Sequence, residues 1–224
     1  MNEEEAKAIQ EIAKATHQGL NTLEKAGGYL ATLIGGSLEQ AIGIFEDKLK
    51  YSRWERNIRL LDKAHEFLSN RSISCPSRSV PLKILIPLLE AGSIEDDDEI
   101  QDIYAQILAN SADKSFKLTI KRTYIDVLQN LSCLEIDILR KLYSFNFEDT
   151  WTVGVWTTNF PSLELTQPSK CENLRPPKDV EIALANMYRL GLINREGTYT
   201  GCEIYSLVKP TLFGKEFVEI CGIT

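Results

Sequence analysis

Histidine is scarce in these 224 residues. Only His17 and His65 occur, and no two of the five cysteines (Cys75, Cys133, Cys171, Cys202, Cys221) stand as a CxxC pair. No zinc ligand set can be assembled from such a supply. The odd, widely spaced cysteines fit free thiols in a reducing compartment better than a disulfide framework. The motifs of common catalytic centres are missing as well. There is no G-x-S-x-G elbow, no G-x-x-x-x-G-K-[ST] phosphate loop, no G-x-G-x-x-G and no H-E-x-x-H. Both histidines are expected on helix surfaces, and the carboxylates fall in runs, as on solvated faces. An enzyme is therefore the weakest class, and no cofactor, metal or small-molecule substrate is expected. The acidic, amphipathic start MNEEEAKAIQEIAKA is unlike a secretory signal. Long apolar runs are also lacking. The least polar window, Ala26–Phe45, is interrupted by Glu39 and five glycines, whereas a spanning helix needs about 20 predominantly apolar residues.

Hydrophobic residues make up 43% of the chain and charged residues 25%, which is ordinary for a globular protein with a real core. The formal net charge of −7 disfavours non-specific binding to nucleic acid. These properties predict a cytoplasmic protein, peripheral to the inner membrane at most on activation.

The pattern along the chain is mainly helical with a small β component. Residues 3–25 predict a first helix, broken at Gly27-Gly28, and helical spacing then continues to Leu68. A loop, RSISCPSRSVP, separates it from the short apolar segment Leu82–Leu89, which ends at Gly92. Ser93 and Asp96 have the spacing of a capping box for a helix that buries Ile100, Ile103, Tyr104, Ile107 and Leu108. After a helix over Tyr124–Leu131, Ser132 and Glu135 form a second capping box. TWTVGVWTTNF, residues 150–160, alternates and predicts a strand. A helix over Lys178–Leu190 closes at Gly191, followed by a hairpin turning at Gly197–Gly201 and a last helix over Thr211–Cys221. The division expected is a helical region, residues 1–131, and a winged-helix-like domain, residues 132–224.

Two features suggest contacts. Placed on one continuous helix over residues 28–50, Leu30, Leu33, Ile34, Leu38, Ala41, Ile42, Ile44, Phe45 and Leu49 fill about half the circumference. Gly28, Gly35, Gly36 and Gly43 collect opposite. Such a face suits close packing, an oligomer contact or conditional entry into lipid, with core packing the commoner outcome. Gly28, Gly35, Gly36, Leu38, Ile42, Gly43 and Phe45 are its candidate residues. Next, Lys48–Lys63 holds six cations against Glu55 and Asp62. Arg56, Arg59 and Lys63 share one helical face, with Trp54, Ile58, Leu61 and Leu68 opposite. Arg53, Trp54, Arg56, Arg59 and Lys63 are candidate contacts for phosphate, anionic lipid or an acidic partner. The plainer alternative is pairing with the chain's own acidic run, Glu95–Asp102, whose straight passage into a helix excludes a calcium loop. The hairpin-preceding helix carries Lys178, Asp179, Glu181 and Arg189, a net charge of zero, which speaks against a major-groove reader. A protein partner or self-association is expected ahead of nucleic acid.

The block VPLKILIPLLEAGSIEDDDEIQDIYAQILANSAD, residues 80–113, resembles the abortive-infection alpha (Abi-alpha) family of bacterial proteins. The resemblance extends back through YSRWERNIRLLDKAHEFL and forward through TYIDVLQNLSCLEIDILRKLY. It implies a role in defence against phage, in which the infected cell stops growing or dies, and it brings no catalytic residue set. The leading expectation is a non-enzymatic defence protein working through protein or conditional membrane contacts. The alternative is a winged-helix transcriptional regulator binding DNA.

Overall fold

A computed structural model describes residues 28–36, 54–162, 175–195 and 205–223. The described residues are mainly helical, with one small three-stranded sheet among them. The chain divides into two compact units. The first comprises residues 1–96 and 104–117, the second residues 97–103 and 118–224.

In the first unit a helical run over residues 28–34 (α1) buries Leu30 and Leu33 completely. It does not continue through residue 50 as expected. Gly35 adopts a left-handed φ of 65° and turns the chain out of the helix. The Val80 N–H then donates to the Leu33 carbonyl at 2.7 Å, satisfying an acceptor that the helix end would otherwise leave open. Helix α2 (Trp54–Asn70) packs on α3 (Leu82–Ile94). Leu60, Leu61, Ala64 and Leu68 of α2 meet a core that includes Ile84, Leu85, Leu88 and Leu89 of α3. Gly92, expected to end that segment, lies inside the last turn of α3. A Cβ there would overlap the Leu60 side chain, so the glycine lets α2 and α3 approach.

Helix α4 (Asp98–Ala112) begins in the second unit and from Tyr104 onward belongs to the first. The capping expectation at its start needs correction. Ser93 is buried in α3 and donates to the Glu90 carbonyl at 2.8 Å. The cap is Asp97, whose carboxylate accepts from the amides of Glu99 at 2.9 Å and Ile100 at 3.2 Å. Two adjacent aspartates made the register ambiguous, and burial of Ser93 decided it.

The second unit holds α5 (Arg122–Leu128), α6 (Cys133–Tyr143), α7 (Phe147–Val153), β1 (Val155–Trp156), α8 (Lys178–Arg189), β2 (Ile193–Arg195), β3 (Leu207–Pro210) and α9 (Leu212–Cys221). The expected box at α6 is present. Glu135 accepts from the Ser132 amide at 2.9 Å and from its hydroxyl. Glu135 also accepts from the Asn186 side-chain amide at 2.9 Å, tying α8 to α6. The strand expected over residues 150–160 shrinks to Val155–Trp156. Asn146 caps Glu148 and Asp149, so its C-terminal neighbours wind into α7 until Gly154, at φ 85°, ends the turn. Side-chain capping here outweighs the β-branched, aromatic composition.

The sheet order is β1-β3-β2 with both pairings antiparallel, Val155 facing Val208 and Asn194 facing Lys209. The hairpin's turn, Gly197–Gly201, lies outside the described residues. Gly191 (φ 77°) follows α8 as anticipated. The Tyr143 hydroxyl is the local anchor. It donates to the Leu192 carbonyl at 2.6 Å and accepts from the Thr211 amide at 3.1 Å, fixing β2 to the start of α9. A side chain at Gly214 would collide with both that hydroxyl and the Leu192 carbonyl.

Candidate functional site

The candidate site is the outward side of α2. Its inward side buries Asn57, Leu60, Leu61, Ala64 and Leu68. At about 100° per residue, Arg56, Arg59 and Lys63 fall on the other side. Together with Ile58, Asp62 and Glu66 they line a recess of about 490 Å³. The apolar side differs from expectation in one detail. Ile58 is half-buried and lines the recess, while the polar Asn57 takes the core position, with neither amide atom hydrogen-bonded among the described residues. Trp54 opens the helix, but its side chain, like all of Arg53, lies outside the described residues.

Arg56 pairs with Asp96 of the acidic run. Both side chains are well exposed, so the ion pair contributes about 0–1 kcal/mol. The plainer reading of the basic stretch is thus partly realised. Two other members of the acidic run work elsewhere: Asp97 caps α4, and Glu99 pairs with Arg140. Three cations and two carboxylates around one recess can hold an anionic group through charge-assisted hydrogen bonds.

Of the glycine-rich candidates, only Gly28, Gly35 and Gly36 are described. A Cβ on Gly28 meets no described atom within 4 Å, and one on Gly35 would reach only Ser79, at 3.5 Å. The Gly36 amide donates to the Ala31 carbonyl at 3.1 Å. Leu38, Ile42, Gly43 and Phe45 lie outside the described residues. No helix among the described residues is long and apolar enough to cross a membrane.

Cys133 and His65 are both tied into structure. The Cys133 thiol donates to Asp97 at 3.0 Å, and this bond, with burial and the nearby carboxylates, pushes its pKa up to about 11. At neutral pH it stays protonated, a poor nucleophile. His65 packs edge-on against Tyr29, ring centroids 5.1 Å apart. Among the described residues no group of His, Cys, Asp and Glu is placed to hold a metal ion.

Sequence reasoning missed a polar clamp in the first unit. The loop Arg71–Pro81 reaches the C-terminal end of α4. The Arg78 guanidinium donates to the carbonyls of Ser111 (2.6 Å) and Asn110 (2.8 Å), and the amides of Ser77 and Arg78 donate to that of Ala112. Arg71 pairs with the buried Asp113 at 3.1 Å. A cation here complements the negative end of the helix dipole and satisfies orphan carbonyls. The string ANSAD is therefore the socket for this loop. Two arginines flanking a loop otherwise rich in serine were the available signal.

Among curated proteins and solved structures nothing matches this chain. Among protein families, the profile described as abortive infection alpha matches residues 53–221, a span running from the start of α2 through α9. The chain belongs to the abortive infection alpha family.

Proposed function

We propose that this chain is a non-enzymatic phage-defence protein that acts in abortive infection through a contact made by the outward face of α2. Family membership supports the biological setting. The observation that carries the contact is the recess lined by Arg56, Arg59 and Lys63 on a helix whose other side is locked in the core. Because the Arg56–Asp96 pair is exposed and weak, an incoming carboxylate or phosphate can replace Asp96 at little cost. The occupant we favour is an acidic protein surface. Contact with anionic lipid after a trigger is the other form of the same chemistry, and would bring a cytoplasmic protein to the inner membrane.

We further propose that the second unit is a winged-helix-like module used for protein contact. Support comes from the order helix, strand, helix, hairpin, helix and from β1 lying beside β3. The same order favours a second reading, a DNA-binding regulator. Against it stands the zero net charge of α8, since phosphate contacts supply most of the affinity of such modules.

The test replaces Arg56, Arg59 and Lys63 together with glutamine. Thermal unfolding should move by no more than about 2 °C, as expected of exposed charges. Phage protection of expressing cells should fall at least about tenfold, the scale of losing one or more charge-assisted hydrogen bonds. Full protection by a normally folded triple variant rejects the proposal. Co-sedimentation with anionic vesicles distinguishes a lipid partner from a protein one.

A further inference from the structure

Arg56 already holds a carboxylate at rest, and the packing of two helices puts it there. Leu60 of α2 occupies the space that a Cβ on Gly92 of α3 would take. Arg56 stands four residues before Leu60, and Asp96 stands four residues after Gly92. The contact that seats Leu60 on Gly92 therefore also brings the Arg56 guanidinium to the Asp96 carboxylate, both within the first unit. Asp96 has little slack. It follows α3 by two residues, and the last turn of that helix is anchored by the buried Ala91, Gly92 and Ser93. A carboxylate delivered by packing competes as an intramolecular ligand, at a local concentration that a free one does not reach.

The carboxylates around the recess are not equivalent. Asp62 and Glu66 belong to α2, like the cations, and stay beside them whatever binds. Asp96 comes from the connection after α3, and its side chain is 82% exposed against 43% for Arg56. Displaced from Arg56, it passes directly into water, so releasing it requires no unpacking of the core.

We infer that Asp96 is an autoinhibitory carboxylate, which occupies Arg56 at rest and sets the threshold an acidic partner must exceed to engage the recess. The inference rests on the reading of that recess as a contact for an acidic protein surface, and adds its regulation. A partner presenting several carboxylates together reaches the remaining cations as well and displaces Asp96.

The test is fluorescence anisotropy of the full chain with a labelled peptide of glutamates as the acidic probe, at low salt, where exposed charges are least screened. Asp96→Asn should bind the probe about two- to fivefold more tightly than wild type, the range over which exposed ion pairs act. Glu219→Gln, at an exposed position in the second unit, removes the same charge elsewhere and should leave the affinity near that of wild type. In an Arg56→Gln background, Asp96→Asn should have no more effect than Glu219→Gln. An Asp96→Asn variant that binds no better than Glu219→Gln overturns the inference, as does a gain that persists without Arg56. The combined Arg56, Arg59 and Lys63 glutamine variant separates the two levels. If it loses the probe while Asp96→Asn changes nothing, the recess reading stands and the autoinhibition alone fails. If it binds as wild type does, or if neither wild type nor Asp96→Asn binds, the recess reading fails and the inference falls with it.

Discussion

Gly35 and Gly28 belong to the same expected stripe, yet they have different physical roles. Gly35 is held at a φ of 65°, where a side chain with Cβ costs about 1–2 kcal/mol. Gly28 lies in a helical run, and no atom of the described residues comes within 4 Å of where its Cβ would go. Gly35→Ala is therefore expected to destabilise the fold by about 1 kcal/mol or more, although Ser79 leaves room for the methyl. Gly28→Ala should be neutral or add up to about 1 kcal/mol by reducing the freedom of the unfolded chain. Urea unfolding of the two variants checks this. Comparable losses at both positions would instead indicate a helix face that excludes any side chain. Asp113 makes a prediction in pH. Burial alone would raise its carboxyl, but hydrogen bonds from the Ser115 hydroxyl and amide and the Arg71 guanidinium outweigh that and hold it below the usual range. A carboxylate lowered in the folded state contributes stability that is present above its unfolded value, about 3.9, and is lost as pH falls through its folded value. Asp113→Asn should therefore be clearly less stable than wild type at pH 7. The gap should narrow as pH drops below about 3.9, as measured by unfolding at both ends of that range.

Among the elements, α4 shows how a helix end is closed by a distant part of the chain. Arg78, more than 30 residues away in sequence, supplies two charge-assisted bonds to the Asn110 and Ser111 carbonyls. Removing it leaves those carbonyls short of donors. Arg78→Ala should cost about 1.5–3 kcal/mol, the range for hydrogen bonds to charged groups. Arg78→Lys should recover only part of this loss, since a point charge does not reproduce the planar fork that spans two carbonyls. Denaturant midpoints of wild type and both variants provide the measurement. If lysine restores full stability, the clamp acts through charge alone.

For the whole molecule, the net charge of −7 and the neutral α8 set the expectation toward nucleic acid. The full chain should bind random duplex DNA no tighter than the micromolar range at low salt, because few phosphates can be neutralised. Fluorescence anisotropy with a labelled duplex decides this. A submicromolar affinity that falls steeply with added salt would favour the regulator reading over protein contact. Within an acidic chain, cations gathered on one side of α2 stand out against that background.

The sequence by itself determined what local hydrogen bonds and periodicity control. The Ser132–Glu135 box and the Gly191 stop after α8 both act within four residues, and both read correctly. The basic side of α2 was equally legible, because charge at helical spacing needs no partner to be recognised. Tertiary structure decided the rest. It moved the cap of α4 from Ser93 to Asp97 by burying the serine against Glu90, and put Asn57 rather than Ile58 in the core of the first unit. It replaced most of a strand over residues 150–160 with α7, because one asparagine side chain satisfied two helix amides. It also revealed the loop clamp, whose partners Arg78 and Ser111 stand 33 residues apart. Interactions of that kind depend on where chain folding brings two segments together, and neither segment carries a pattern that names the other.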